Sequence, residues 1–536
     1  MTWTGDVAAT NHGTAAPRLD DRVDGARLRP GLTGAVAAVA AIATSELVAG
    51  LGSGGRSIVL AVGDRVIELT PGEVVRFAIS TFGKANRAVL LASMAVVAVS
   101  AGVAVGIAAS RRRAIAPAGM AAFALLGAGA ALADPLFPSP TAVAAPVFGA
   151  AVGTAALLWL LRAASPAASA EGSEVYLPGP GIGTRRAFLV RSATVLGAAV
   201  LAGVAGRTLQ LRSAVETVRE ALRLPRPARP LPPPEPGTSL DVAGLSPLFT
   251  PNEDFYRIDT ALTVPRIDPD AHVVRVTGLV DRPFEITYRE LLQHPQVEAD
   301  VTLSCVSNEV GGGLVGTARW QGVPLATLLD RAGVQPGASQ VVGRAVDGWT
   351  AGFPLEVAYD GRPALVAVGM NGEPLPVAHG FPVRLVIAGL YGYVSDTKWL
   401  GEIELTTFDG FDGYWIPRGW AKEGPIKTQS RIDVPRDRAR LTAGPTPIAG
   451  VAWAGTRGIA RVEISIDDGP WEPARLSDEL AATSWRQWLL PWDATAGQHT
   501  IRVRATDGTG ETQTPERSRP APSGATGHHT ITVSVG

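Results

Sequence analysis

Cysteine occurs once in the 536 residues, at Cys305. It sits in Thr-Leu-Ser-Cys-Val-Ser-Asn-Glu-Val-Gly-Gly-Gly, residues 302–313. One thiol forms no internal disulfide. Two uses remain, a small buried apolar group or a nucleophile or soft metal ligand. Further along, His379, Arg384, Ser395 and Lys398 fall within 20 residues, around the apolar stretch Pro-Val-Arg-Leu-Val-Ile-Ala-Gly. Imidazole, guanidinium, hydroxyl and ammonium groups on that spacing suit a phosphate or another polyanion. A second stretch rich in polar groups, residues 249–262, carries Arg257. The chain shows no zinc-ligand spacing and no Walker loop. The glycine-rich Gly179–Gly183 follows no strand and opens no dinucleotide-binding helix.

Those residues need a scaffold, and the pattern around them is mixed. Residues 272–280 and 284–288 read as strands, as do 382–389 and 399–408, while 288–294 and 324–334 read as short helices. This is an α+β pattern over about 240–431. From 432 to 536, alternating segments turn at Asp468-Gly469 and Asp507-Gly508, and helical periodicity is scarce. That part reads as a β-sandwich of immunoglobulin type. Residues 208–239 form a linker whose core, 225–237, is proline-rich and stiff.

The N-terminal part differs in kind. Mean hydropathy of the chain is +0.17, and the apolar residues concentrate in 31–207. Five stretches are long enough to cross a bilayer, near 31–51, 87–109, 114–133, 141–161 and 187–206. Residues 1–30 are expected to form a cytoplasmic N-terminal tail. Arg18, Arg22, Arg27 and Arg29, then Arg111–Arg113, then Arg162, Arg185 and Arg186 fall on one side if all five segments span. The expectation is a multi-pass membrane protein with its N-terminus in the cytoplasm and its C-terminal part outside. Arg56, Arg65, Arg76 and Lys84 in the loop 52–86 run against that count. Glu46 is an ionisable group inside a span, hence a candidate for proton work or for a local hydrogen bond. None of the seven histidines lies in a span, so no haem is expected there. Net charge is −1, which implies no basic surface for nucleic acid.

The soluble part resembles the sulfite oxidase family. The resemblance rests on Asn371-Gly-Glu-Pro-Leu-Pro, His379-Gly-Phe-Pro-Val-Arg384 and Lys398-Trp-Leu, and covers nearly all of 240–536. It implies a molybdopterin domain over 240–431 and the family's immunoglobulin-like dimerisation domain over 432–536, hence a homodimer. It implies a molybdenum–molybdopterin cofactor with Cys305 as the metal ligand. Arg257, Asn308, Asp347, His379, Arg384, Ser395 and Lys398 become cofactor-binding residues, with Arg257 also near the metal. Thr184-Arg185-Arg186-Ala-Phe-Leu resembles a twin-arginine export signal, which fits a domain exported folded and loaded.

The residue types suit that chemistry. A thiolate is a soft ligand for a metal already held by sulfur, and the glycines after Cys305 allow close backbone approach. The departures bear on substrate. Family sulfite oxidases have arginines where Glu309 and Val310 stand here, a tyrosine where Trp420 stands, and Asn-x-Arg-Gly where Ala521-Pro522-Ser523-Gly524 stands. Arg418, Lys427 and Arg431 are the cations that could compensate. The expected function is a membrane-anchored molybdopterin oxidoreductase acting on a small external substrate, an S-oxide, an N-oxide or a related oxo compound. The alternatives are a true sulfite oxidase with a rearranged anion pocket and a non-catalytic protein of the same fold. With no haem or iron–sulfur motif, electrons would pass to a separate carrier or to the quinone pool.

Overall fold

A computed structural model describes residues 19–52, 56–164, 185–211 and 214–536. Arg18 of the N-terminal tail, the glycine-rich 179–183 and Thr184 of the export-like signal lie outside the described residues. The chain divides into two compact units, one built mainly from residues before 212 and one mainly from those after 213.

The first unit is helical. Leu28–Leu51, Asn86–Arg111, Ile115–Ala133 and Pro140–Ala163 are long and apolar enough to cross a membrane, as is the helix Arg185–Leu211 within the fifth candidate span. Small residues set the closest contact. A Cβ on Gly34 would lie 2.0 Å from the Gly102 carbonyl oxygen, and one on Gly106 would lie 2.7 Å from Gly34 Cα. Gly102-x-x-x-Gly106 is the pattern that lets apolar helices approach backbone to backbone. The stretch 52–86, taken from the sequence as a loop, contains the helices Ile58–Leu69 and Gly72–Phe82, of which residues 67–80 group with the second unit. Each is too short to span and apolar on one side only, so a hydropathy window passes over both.

Two polar arrangements are built into this unit. Glu46 accepts hydrogen bonds from Val59 N at 2.9 Å and from Gln210 Nε2 at 3.0 Å. Its carboxylate thus caps the start of Ile58–Leu69 and ties it to the last long helix. The neighbouring Ser45 bonds Ala41 O instead. Arg56 pairs with Asp134 at 2.6 Å, both side chains at most 10% exposed.

In the second unit, five strands run in the order Phe284–Thr287, Val273–Gly278, Leu400–Thr406, Gln340–Ala345, Thr350–Pro354. The pair Val273–Gly278 and Leu400–Thr406 is parallel. A second sheet joins Val297–Ser304, Val315–Pro324, Ala364–Met370 and Glu373–Pro374, with Arg384–Ile387 also paired to Ala364–Met370. The helix Tyr288–Gln293 starts at a capping box between Thr287 and Glu290. Leu325–Ala332 ends at Gly333 in the left-handed region.

The C-terminal part consists of two sheets. One holds Gln429–Val434, Gly444–Trp453, Arg486–Ala494 and Arg475–Leu476, and the other is built on Ile459–Ile466, Gly497–Asp507 and His529–Val535. Ile448 and Trp488 from the first and Val462, Val503 and Val533 from the second share one buried core. The proline-rich segment is extended but is not a free spacer. Ala228 N bonds Gln296 O at 2.8 Å and Leu231 N bonds Glu298 Oε2 at 2.8 Å, so it runs along the edge of the strand that leads to Cys305.

Candidate active site

Strands Val297–Ser304 and Val315–Pro324 pair antiparallel, with Ser304 opposite Val315. Residues 305–314 are therefore the connection of a hairpin, and Cys305 is its first residue. Cys305 N donates to Leu314 O at 2.9 Å, and Asn308 N donates to Cys305 O at 3.0 Å. Asn308 Oδ1 accepts from Leu314 N at 2.8 Å. Asn308 thus closes the loop with the oxygen that a cofactor contact would otherwise use. Burial pushes the Cys305 thiol up, while hydrogen bonds from Ser307 and the charge of Lys398 draw it down.

His379 ends the short turn Val377–His379, and its Nε2 lies 3.1 Å from Asn252 O. Burial, with Arg384 and Lys398 nearby, brings it down to about 4, so the ring is neutral near pH 7. Arg384 opens the strand Arg384–Ile387. Its Nη1 donates to His379 O at 3.1 Å, its Nη2 lies 3.8 Å from Asp396 Oδ2, and its guanidinium stacks 4.9 Å from the Trp320 ring. Gly380, at φ +110°, separates the two cations. A Cβ there would lie 3.0 Å from Arg384 Cβ and 3.2 Å from Lys398 Cα. Lys398 donates to the Asp259 carboxylate and, at 3.2 Å, to Ile258 O. Arg257 Nε reaches the same Asp259 at 3.0 Å.

Three cations, Arg257, Arg384 and Lys398, thus face two carboxylates, Asp259 and Asp396. One positive charge is left over even with both acids ionised. Burial moves Asp396 up to about 6. Its Oδ2 and the neighbouring Thr397 Oγ1 are buried without a hydrogen-bond partner among the described residues. Buried polar atoms are rarely left so, and a bound group carrying donors and a phosphate fits both the surplus charge and the vacant acceptors. Ser395, predicted to bind, spends its hydroxyl on Tyr391 O at 3.1 Å within its own turn. Asp347 sits in the turn between Gln340–Ala345 and Thr350–Pro354, its Oδ1 accepting from Trp349 N at 3.1 Å. Val346 N bonds Trp399 O at 2.9 Å, which brings this turn beside Lys398.

Sequence reasoning missed Asp259, Asp396, Tyr256 and Tyr391. Both tyrosines lie close enough to Cys305 for its charge to bear on them. Burial is the main cause that raises Tyr256 well above its usual range and Tyr391 to about 12. The available signal was position. Tyr256 and Asp259 flank Arg257, and Asp396 lies between Ser395 and Lys398.

The possible compensating cations are otherwise engaged. Arg418 Nη1 donates to Tyr414 O at 2.6 Å with its guanidinium 3.8 Å from the Tyr414 ring. Lys427 Nζ donates to Gly524 O at 2.7 Å, and Arg431 Nη1 to Gly312 O at 3.0 Å. Trp420 is half-buried beside Tyr393 and Trp415, with ring centroids 5.9 and 6.4 Å away. Glu309 is exposed.

Among the described residues, no group of three or more His, Cys, Asp or Glu side chains could hold a metal alone. A metal at Cys305 would need donors from outside the chain.

The family model for the oxidoreductase molybdopterin binding domain matches residues 261–415, and that for the Mo-co oxidoreductase dimerisation domain matches residues 423–521. An uncharacterized oxidoreductase of Bacillus subtilis, YuiH, is 34% identical over 155 residues, covering 28% of this chain and 73% of that one. The mitochondrial sulfite oxidase of Homo sapiens is 32% identical over 302 residues, covering 48% of this chain and 55% of that one. The chain belongs to the sulfite oxidase family of molybdopterin oxidoreductases. It spans about half the length of the curated sulfite oxidases it matches first. Within this family member, Cys305, Asn308, Asp347, His379, Arg384, Ser395 and Lys398 fall inside the molybdopterin-binding match, whereas Arg257 and Asp259 lie just before it. The long apolar helices lie outside both matches. Among solved structures, the sulfane dehydrogenase SoxCD of Paracoccus pantotrophus aligns with a TM-score of 0.47 at 22% identity, over 59% of this chain and 88% of that one.

Proposed function

We propose that the protein is a membrane-anchored oxidoreductase whose molybdenum–molybdopterin cofactor is ligated by Cys305. One observation carries this reading. The only thiol of the chain leads a hairpin loop beside Arg384 and Lys398, each paired with a carboxylate, where the exposed Arg257 adds a surplus positive charge. When bound, the cofactor supplies two-electron chemistry that moves one oxygen atom to or from a small substrate. The chain's own residues do the rest. Cys305 gives one soft donor. Arg384 and Lys398 hold the phosphate, and neutral His379 offers a ring that donates or accepts without adding charge. Asp396 Oδ2 and Thr397 Oγ1 accept from the pterin. Trp320, under the Arg384 guanidinium, keeps water from it.

The substrate side favours a neutral S-oxide or N-oxide over a sulfite dianion, because Glu309 and Val310 stand where family sulfite oxidases carry arginines and Arg431 is neutralised by Asp433. The five long helices and the basic clusters between them support a multi-pass anchor with the catalytic part outside the cytoplasm. The two facing sheets of the C-terminal part support an immunoglobulin-like domain that pairs two copies. Electrons would pass to a separate carrier or to the membrane quinone pool. The test is metal analysis of the purified protein followed by turnover on sulfite, S-oxides and N-oxides. Protein without molybdenum from cells that make the cofactor would overturn the reading. Turnover on sulfite alone would restore the sulfite oxidase alternative.

A further inference from the structure

We propose that the C-terminal β domain positions the Cys305 thiol, with Arg431 and His529 acting on the loop that carries it. The inference rests on the reading of Cys305 as the metal ligand.

Arg431 lies on Gln429–Val434, the first strand of the β domain, and inside the dimerisation-domain match. Its three nitrogens go in three directions. Nε bonds Asp433 Oδ1 at 2.6 Å, Nη2 bonds Ser246 Oγ at 2.8 Å, and Nη1 bonds Gly312 O at 3.0 Å. One guanidinium therefore links the Cys305 loop to its own strand and to the segment at Ser246. Asp433 completes that link by accepting from Ser246 N at 3.1 Å.

His529 grips the preceding residue by shape. Gly311 has φ +79°, and a Cβ on it would come within 2.2 Å of the His529 ring. The ring is fixed in turn, because Ile432 N donates to its Nδ1 at 3.0 Å. Consecutive loop residues are thus held, one by a cation on a carbonyl and the next by a wall.

A second grip acts before the thiol. Thr302 N donates to Thr483 O at 2.9 Å, Trp485 N donates to Thr302 Oγ1 at 2.6 Å, and Thr483 Oγ1 donates to Asp300 O at 2.6 Å. The segment 483–485 belongs to the β domain, so Cys305 lies between two clamps supplied by the same domain. Loops unfixed by such contacts move, and a ligand works only when held to a fraction of an ångström. Ordinary domain packing needs neither a three-way arginine on a loop carbonyl nor a glycine against an imidazole.

The single thiol makes the test specific, since a maleimide reports on Cys305 alone. The full-length chain, made in cells lacking the cofactor, is labelled under native conditions. Arg431→Ala, which also loses the Asp433 pair and melts lower, is expected to raise the labelling rate at least tenfold at a temperature well below its own thermal midpoint. A folded variant labelled within twofold of the parent rate overturns the proposal. Should Arg431→Ala not fold, His529→Asn keeps an acceptor for Ile432 N and removes the wall. It carries the same expected acceleration and the same overturning result. In the loaded protein, Arg431→Ala should keep its molybdenum but shift the Mo(V) resonance, and an unshifted signal counts against positioning. Failure of the underlying reading looks different, because Cys305→Ser would then retain both metal and turnover whatever the labelling rates are.

Discussion

The cations of the site fall into two groups that differ in how their charge is used. Arg384 is buried and Lys398 nearly so, each meets a carboxylate, and the exposed Arg257 adds a third positive charge to the two acids. Arg418 and Lys427 lie in the neighbouring segments and end on carbonyl oxygens, while Arg431 divides its donors between the Gly312 carbonyl and the Asp433 carboxylate. A carbonyl satisfies a donor without neutralising it and fixes its direction, so the group becomes architecture. A carboxylate neutralises, and a cluster with more cations than carboxylates attracts an anion. The number of basic residues therefore says less about ligand charge than what each of them faces.

The largest expected effect falls on the thiol. Cys305→Ser should lower turnover more than the roughly 10- to 100-fold typical of changes around a ligand and keep the pterin. Turnover and metal content measured together decide it, and parent-like rates would remove Cys305 from the site. Next, Arg384→Met leaves Asp396 buried beside an apolar chain. Breaking a buried pair costs about 3–5 kcal/mol, and cofactor content should fall with the melting temperature. If the variant melts like the parent and stays loaded, the contrast between the two groups is lost.

The third effect is a pH dependence. The folded-state value of His379 is depressed to about 4, from an ordinary 6.5. Its neutral form favours the fold above about pH 6.5. As pH falls from there towards 4, the unfolded chain gains the proton first, and stability drops by about 1.4 kcal/mol per pH unit. Denaturation at pH 7 and pH 4.5 should show a smaller drop in His379→Gln. An identical drop would mean the ring is solvated.

On the other side, Lys427→Ala should cost about 1 kcal/mol of stability and move KM for sulfite or an S-oxide less than threefold. A tenfold rise in KM for sulfite, about 1.4 kcal/mol, would put Lys427 back in the substrate pocket. Smallest of all, Glu309→Ala on the exposed loop should change stability by under about 0.5 kcal/mol and leave turnover unaltered.

The apolar helices and the cradle motif could be read directly, because both are local runs of residue type. The strand Ala364–Met370 was not, since it is buried throughout and shows no alternation. The same applies to most of Val315–Pro324. In the site, His379, Arg384 and Lys398 converge because one short segment carries all three. Asn308 and Ser395 have the right chemistry at the right spacing, yet their oxygens serve the backbone of their own turns. Asp259 and Asp396 were invisible as site residues, because an acid in a sequence does not reveal whether it is buried against a cation.

The ion pair of Arg56 and Asp134 bears on the energetics of membrane insertion. Moving a lone charge across a membrane against its potential costs about 2.3 kcal/mol per 100 mV. A guanidinium joined to a carboxylate in the folded unit feels the membrane potential as a dipole and adds almost no net charge to that work. Arg56 thus still counts among the basic residues of 52–86 during insertion, yet leaves no lone charge in the folded unit.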